Sequence, residues 1–454
     1  VSSAYRAVSF WHDSLDDDAL TPRAPLVGDT DADVAIVGAG LTGLWTAWYL
    51  QERDPSLRVV IVEREIAGFG ASGRNGGWCS ALFPRSTASL ERTHGREAAL
   101  AMRRAMIDTV DEVGEVTERA GIDCDFRRGG TVAFARSAVQ LEAARAEVDE
   151  ARAYGVDELE LWDSSRVRAA GALAAAFDPA CARLHPAKLS RGLARAVEGR
   201  GALIAEQTAA LEIAPGRVTT AHGTVRAERV VQATEGYGAT LSATHRRILP
   251  LYSLMVATEP LDASVWEQIG LAHGQTFTDY RHLLIYGQRT ADDRIAFGGR
   301  GARYHFGSTI RPEYDRVPRV FEHLRRALVE LFPVLHDTRI THRWGGPLGV
   351  PRDWHARVAF SPSTGLASAG GYVGDGLSTT NLAGRTLADL LTGNESALTR
   401  LPWVGHAARD WEPEPWRFLG ANAGLVAMQA ADAEERLTGR PSLIARAMGP
   451  LVGH

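Results

Sequence analysis

One stretch constrains this chain more than any other: Asp33-Val-Ala-Ile-Val-Gly-Ala-Gly-Leu-Thr-Gly43. Val34 to Val37 is a short apolar run rich in β-branched residues, the pattern of a buried parallel strand. Gly38, Gly40 and Gly43 follow at G-x-G-x-x-G spacing, and Leu44 to Arg53 reads as a helix, with Pro55 just past its end. Gly38 suits a tight turn, Gly40 a close approach of pyrophosphate to backbone, and Gly43 a close helix–strand contact. The free N–H groups and positive dipole end of that helix would face phosphate. A second strand follows at Arg58–Val62, and Glu63 closes it 20 positions after Gly43. A carboxylate there accepts both hydroxyls of an adenosine ribose and disfavours a 2′-phosphate. A glycine-rich turn in an ordinary parallel sheet is the bland alternative; it does not ask for the acid at that distance. At this point FAD and NAD are both open.

The glycine-rich pattern returns immediately. Between Gly68 and Trp78 there are five glycines in eleven residues, too many for a regular helix or strand. Such a loop exposes N–H groups that can form an anion nest, and Arg74 adds a fork of donors suited to phosphate.

The totals remove other classes. A chain of 454 residues is long enough for two or three domains. Its net charge of −5 favours neither nucleic acid nor an anionic membrane as partner. No apolar run is long enough to span a bilayer, and the N-terminus lacks the form of a signal peptide. Cys79, Cys124 and Cys181 are far apart, with no zinc or C-x-x-C spacing. No metal site is expected, and a reducing, cytoplasmic setting is the simplest reading.

Residues 1–32 read as an extended arm anchored by Trp11. Arg85–Ala120 has helical spacing, Phe126–Phe134 reads as a strand, Ser137–Ala153 as a helix, and Trp162 as the start of a short helix capped by Asp163 or Ser164. Residues 183–234 return to the nucleotide fold, with Thr208–Ala214, Arg217–Ala221 and Thr224–Arg226 as a small meander before the buried strand at Arg229. His185, beside Pro186, is expected to be a structural turn residue. Residues 250–310 are β-rich, Pro318–Phe332 is helical, and Thr338–Arg343 is a strand ending at Trp344-Gly-Gly346. Ala356–Phe360 and Leu366–Ala369 form a hairpin. Gly370 to Leu391 then gives a glycine turn and a helix from about Leu377, and Asn422–Leu437 is a final helix.

Four marks now stand in order: Gly38–Gly43 with Glu63, the Gly68–Gly77 loop, the Val230–Thr234 strand, and Gly371–Leu390. In this the chain resembles the D-amino-acid oxidase-like flavoproteins, which include glycine oxidase and sarcosine oxidase. Ala71-Ser-Gly-Arg-Asn-Gly-Gly77, Trp344-Gly-Gly346 and the Trp-Glu-Pro-x-Pro tail resemble the γ-glutamylputrescine oxidase branch. The resemblance implies an α/β fold: a discontinuous Rossmann-type FAD-binding domain (33–85, 183–249 and 356–454) and a second, mainly antiparallel β-sheet substrate domain (86–182 and 250–355), with 1–32 as an arm. It also implies FAD in extended form. Gly38, Gly40, Leu41, Thr42 and Gly43 would hold the pyrophosphate and Glu63 the ribose. Arg64 and Ala210 would flank the adenine, and Ala233 and Thr234 the nucleotide half. Ser72, Gly73, Arg74, Asn75, Gly76 and Gly77 would line the ribityl and ring region. Gly374, Gly376, Leu377, Ser378, Thr379 and Thr380 would run along the flavin pyrimidine edge. Relatives that attach FAD covalently use a cysteine or histidine in segments that hold neither here, so FAD is expected to be non-covalent, with Cys79 a buried spectator.

The implied reaction is hydride transfer from an amine-bearing carbon to flavin N5, then imine hydrolysis, with oxygen reoxidising the flavin to give peroxide. An amine gives up hydride only when neutral, which an apolar wall favours. Trp344 and Trp78 are candidates for that wall, with Tyr304; Arg300 and Tyr304 are candidates for clamping a substrate carboxylate. Core packing is the alternative for each aromatic residue, and a salt bridge for Arg300. A dehydrogenase with a non-oxygen acceptor and a flavin-binding protein without turnover stay open as other readings.

Overall fold

The computed structural model describes residues 2–452. Its first sheet has a parallel centre. Thr30–Val37 lies between Val59–Val62 and Gly223–Gln232, in register Val34↔Val59 and Ala35↔Val230. Leu203–Ala205 extends it on one side and Leu366–Gly370 on the other, both parallel. Ala210–Ala214, Arg217–Thr220 and Arg357–Ser361 add antiparallel edges. The helix Leu41–Arg53 covers this sheet and is buried along almost all its length, because Trp45, Trp48, Tyr49 and Leu50 sit between neighbouring helices. Each such side chain contributes about 1.5–3 kcal/mol on burial. Helix Gly376–Thr392 crosses it closely: a Cβ on Gly384 would stand 2.6 Å from the Trp45 Cβ.

The second sheet has eight strands and is antiparallel except where Thr276–Asp279 runs parallel to Thr131–Ala135. Its far edge is the long pair Leu249–Thr258 and Ile340–Val350. Helix Pro318–Leu331 packs its apolar stripe, including Val320, Leu324 and Leu328, on this sheet. A small third sheet, Trp78–Ser80 with Cys181–Arg183 and Arg127–Arg128, stands between the two.

Several expectations are corrected. The N-terminal segment is helical, with turns at Ser2–Arg6, Phe10–Asp13 and Asp17–Leu20, and Thr30 already belongs to a strand. Trp11 is its anchor: the ring is buried and Nε1 donates to the Asn75 carbonyl at 2.8 Å. The helix over 85–120 is two, Thr87–His94 and Arg96–Arg119, broken at Gly95 with φ 85°. No helix starts at Trp162. Glu160–Asp163 is a strand, and Asp163 holds the Ser165 N–H and hydroxyl in a local turn that competes with helix. Thr224–Arg226 and Arg229 belong to one strand. The strand at Thr338 runs on through Trp344-Gly-Gly346 to Val350. His185, expected as a structural turn residue, caps the helix Pro186–Gly199, its Nδ1 accepting the Lys188 N–H at 3.1 Å. The helix expected as the final one is longer, Trp416–Thr438, and a further helix, Leu443–Val452, follows it; Asp432 of the first accepts the His282 and Leu283 N–H groups from a loop of the second sheet.

Candidate active site

A cavity of about 1180 Å³ starts at the first sheet and ends under the C-terminal helices. At its first end the wall is main chain. Gly38 has φ 106°, and a Cβ there would stand 2.6 Å from the Ala233 carbonyl oxygen. A Cβ on Gly43 would overlap the Gly38 carbonyl, so helix and turn meet only because it is absent. The Leu41 N–H donates to Ser72 Oγ at 2.8 Å, which ties the second glycine loop to the start of the helix. The Glu63 carboxylate accepts the Ala39 N–H at 2.8 Å and the Glu65 N–H at 2.9 Å. Burial pushes this carboxyl above its usual range, and those two donors oppose the shift.

The structure brings most of the expected residues to this one cavity. Gly38, Gly40, Leu41, Thr42, Glu63 and Arg64 line it, as do Ser72, Arg74, Asn75, Gly76 and Ala210. Ala233, Thr234, Gly374, Gly376, Leu377 and Thr380 complete the run, and Arg300 and Tyr304 stand in its second half. Gly43, Gly73, Gly77, Ser378 and Thr379 lie behind the wall. Gly73 and Gly77 are close-packing positions against the Gly68 and Leu184 carbonyls. The Ser378 and Thr379 hydroxyls donate to the Ser80 and Asp375 carbonyls.

Three assignments are corrected. Trp344 is not part of the cavity wall. It lies beneath Phe10 and Trp11 of the N-terminal segment, and its Nε1 donates to the Arg74 carbonyl at 2.8 Å. Arg74 has no fork to offer phosphate: Nε donates to the Phe69 carbonyl, Nη1 to Asp315 and the Gly345 carbonyl, and Nη2 to the Tyr237 hydroxyl. It is a buried strut between the glycine loop and the second sheet. The Tyr304 hydroxyl is held by Glu414 at 2.6 Å and Ser308 at 3.0 Å, so only its ring faces the cavity.

The aromatic wall is built from other residues. Trp78 lines the cavity as expected, held by Nε1 to the Gly287 carbonyl at 3.1 Å and packed edge-on to Tyr286. Tyr286, Tyr252, Trp354 and Leu348 join it. Arg300 lies over the Trp354 ring, with Nη2 donating to the Val373 carbonyl at 2.8 Å. Asp375 sits beside it; burial pushes its carboxyl up to about 6, against the pull of Arg300. Glu235, also on the wall, accepts the Gly349 and Gly371 N–H groups, and burial raises it to about 7. The sequence reading missed Tyr286, Trp354, Asp375 and Glu235. The alternation within Leu283–Gln288 put Tyr286 on one face of a strand, but nothing local said which face meets the cavity.

The family model described as DAO, FAD dependent oxidoreductase, matches residues 33–390. The chain belongs to that family. It is therefore an FAD-dependent oxidoreductase, and its second, mainly antiparallel sheet accompanies a Rossmann-type FAD-binding sheet. It is 31% identical over 373 residues to gamma-glutamylputrescine oxidoreductase of Escherichia coli, covering 80% of this chain and 84% of that one. It is 29% identical over 412 residues to the probable oxidoreductase OrdL of Haemophilus influenzae, covering 86% and 89%. Its fold matches the crystal structure of glycine oxidase from Geobacillus kaustophilus with TM-score 0.70 at 22% identity, over 84% of this chain and all 100% of that one.

The residues present fit FAD. The glycine turn lines the cavity with main chain, and the Leu41–Arg53 helix starts at it with no side-chain cap from its own N-cap residue, the Leu41 N–H being taken by Ser72 Oγ. Glu63 stands on the same wall. The cavity exceeds the roughly 300–1,000 Å³ usual for one small ligand, which leaves space for a second molecule beside the dinucleotide.

Proposed function

We propose that this oxidoreductase removes hydride from a carbon bearing an amine nitrogen, in an amine or amino acid, and passes the electrons to oxygen. The balanced outcome is amine, oxygen and water giving a carbonyl compound, ammonia or a smaller amine, and hydrogen peroxide. The relatives named for γ-glutamylputrescine and glycine support this substrate class. When bound, FAD supplies the two-electron acceptor at N5.

The chain's own part is placement and electrostatics. Gly38, Gly40, Leu41, Thr42 and Ser72 would hold the pyrophosphate side, Glu63 the ribose, and Arg64 and Ala210 the adenine. The start of the Gly376–Thr392 helix would stabilise negative charge at the flavin pyrimidine edge. Trp78, Tyr286, Tyr252 and Trp354 would exclude water and favour the neutral amine. Arg300 has donors beyond the one used on Val373, and a carboxylate-bearing substrate would take them. FAD is held without a covalent bond: Cys79 is buried in a small sheet and burial pushes its thiol well above its ordinary value. All three cysteines are free, which supports a reducing, cytoplasmic setting. Among the described residues no helix is long and apolar enough to cross a membrane.

The observation that carries this reading is the continuity of the cavity from Glu63 to the aromatic arm at Arg300. It is tested with a panel of benzylamine, butylamine, N-methylbutylamine, sarcosine, and D- and L-alanine. Peroxide formed with a panel member under air supports the oxidase. Dye reduction without peroxide makes the protein a dehydrogenase, and no turnover at all overturns the reading.

A further inference from the structure

The cavity is lined by four carboxylates whose situations differ. Glu63 and Glu235 accept backbone N–H groups. Glu412 is paired with Arg352. Asp375 alone of these four has no hydrogen bond to its carboxylate among the described residues. It occupies the position before the Gly376–Thr392 helix, where an aspartate ordinarily accepts an N–H of the first turn. Here it makes no such cap, with φ −89° and ψ 33°.

The surroundings hold it in place without consuming it. Arg300 bonds the Val373 carbonyl, and its Nη2 would lie 3.9 Å from a Cβ on Gly374, so the guanidinium is pressed against the residues that precede Asp375. Arg300 is the charged group whose field reaches Asp375; no other titratable group does so among the described residues. Tyr286, whose hydroxyl also feels Arg300, shares a hydrogen bond with Ser253 at 2.8 Å. Trp354, Leu348 and Tyr286 line the same cavity, with Arg300 over the Trp354 ring. A carboxylate with no hydrogen bond among the described residues therefore stands beside Arg300 and the aromatic residues of the cavity, where the stretch proposed for the flavin edge meets the proposed substrate arm.

Resting on the functional reading above, we infer that Asp375 is a catalytic residue that takes the proton from the ammonium group of a cationic amine substrate. The N–H bond breaks, an O–H bond forms on the Asp375 carboxylate, and ammonium plus carboxylate become amine plus carboxylic acid. No net charge is made or lost. In water this transfer is unfavourable, since an alkylammonium titrates near 10.4 and a carboxyl near 3.9. Burial narrows the difference from both sides, raising the acid and lowering the amine. Burial has already lifted Asp375 to about 6, so it is ionised at neutral pH and ready to accept. The substrate class that follows is amines that arrive protonated, which an uncharged pocket would have to wait for as free base.

The test is anaerobic stopped-flow bleaching of the FAD holoenzyme by the same amine panel, from pH 5 to 10, in wild type and Asp375→Asn. At pH 7.4 only about a thousandth of an alkylamine is free base. The asparagine variant should then bleach roughly 100-fold more slowly or worse at that pH, and recover to within about 3-fold of wild type at pH 10. Wild type should lose rate as the pH falls through about 6, where Asp375 becomes protonated and stops accepting. Asp375→Glu should keep that acid limb. Curves that stay parallel at every pH, or an asparagine variant as fast as wild type, overturn the role of Asp375. If the asparagine variant purifies without FAD, Asp375→Ser replaces it. If both shed FAD, Asp375 is structural and the inference is overturned. Failure of the whole panel to bleach wild type overturns the functional reading instead, and this inference with it.

Discussion

At the Gly38 end of the cavity the wall is main chain, contributed by segments close in sequence: a strand, its turn, the next helix, and the Gly68–Gly77 loop. At the Arg300 end it is side chain, gathered from Trp78, Tyr252, Tyr286, Trp354 and Asp375 on separate elements. On the proposed reading the first end would recognise what every dinucleotide has, phosphate and ribose, and its geometry tolerates almost no added atom. On the same reading the second end would recognise what differs among substrates, and it is built from side chains on separate elements. Arg74 joins the two, because its bonds to Phe69, Asp315, Tyr237 and Gly345 fasten the glycine loop to the second sheet.

That contrast is broken most severely at its rigid end. Gly38→Ala places a methyl 2.6 Å from the Ala233 carbonyl at a positive φ. FAD binding should weaken about 100-fold, roughly 3 kcal/mol, and the protein should purify pale. Equilibrium dialysis against FAD measures the loss. Arg74→Met leaves the Asp315 carboxylate half-buried without its cation. Breaking such a pair costs about 3 kcal/mol, read as a lower urea midpoint. Asp315→Asn in the same chain should cost less than the two single changes added together.

At the other end the effects become selective. Arg300→Lys removes a bidentate fork. It should raise KM for sarcosine or alanine about 10-fold while leaving FAD retention and the KM of butylamine within 2-fold. Equal effects on both substrate types would show that Arg300 only shapes the cavity. Smallest is Trp344→Phe. It loses one hydrogen bond to the Arg74 carbonyl, about 1 kcal/mol of stability, with bleaching rates unchanged. A Trp344 variant that bleaches much more slowly would put that ring back in the substrate wall.

The same contrast explains what could be read in the sequence. The cradle is local. Its glycines stand at fixed spacing behind a β-branched run, and Glu63 follows at the distance that one parallel neighbour imposes, so the pattern carries its own geometry. The strand and helix types were legible for the same reason, since periodicity is a local property. Trp344 shows where locality ends. An aromatic residue before two glycines looked like a wall, but Phe10 and Trp11, more than 300 positions away, cover it. Arg74 looked like a phosphate ligand because nothing nearby revealed Asp315 as its partner. Trp162 shows a different failure: the Asp163 side chain bonded its own backbone and took residues from the helix expected there. Asp375 was passed over inside a stretch whose neighbours were named, because only the fold brings Arg300 to it and leaves its carboxylate without a bond.

The central claim is that the main-chain cradle at Gly38–Gly43 and Glu63 holds one FAD, without a covalent bond, at the mouth of the aromatic arm. The direct measurement is the flavin content of the purified protein, reconstituted with FAD, before and after acid precipitation. One FAD per chain, recovered entirely in the supernatant, is the expected result. A colourless protein that stays colourless with FAD supplied, or a flavin that remains with the pellet, would contradict it.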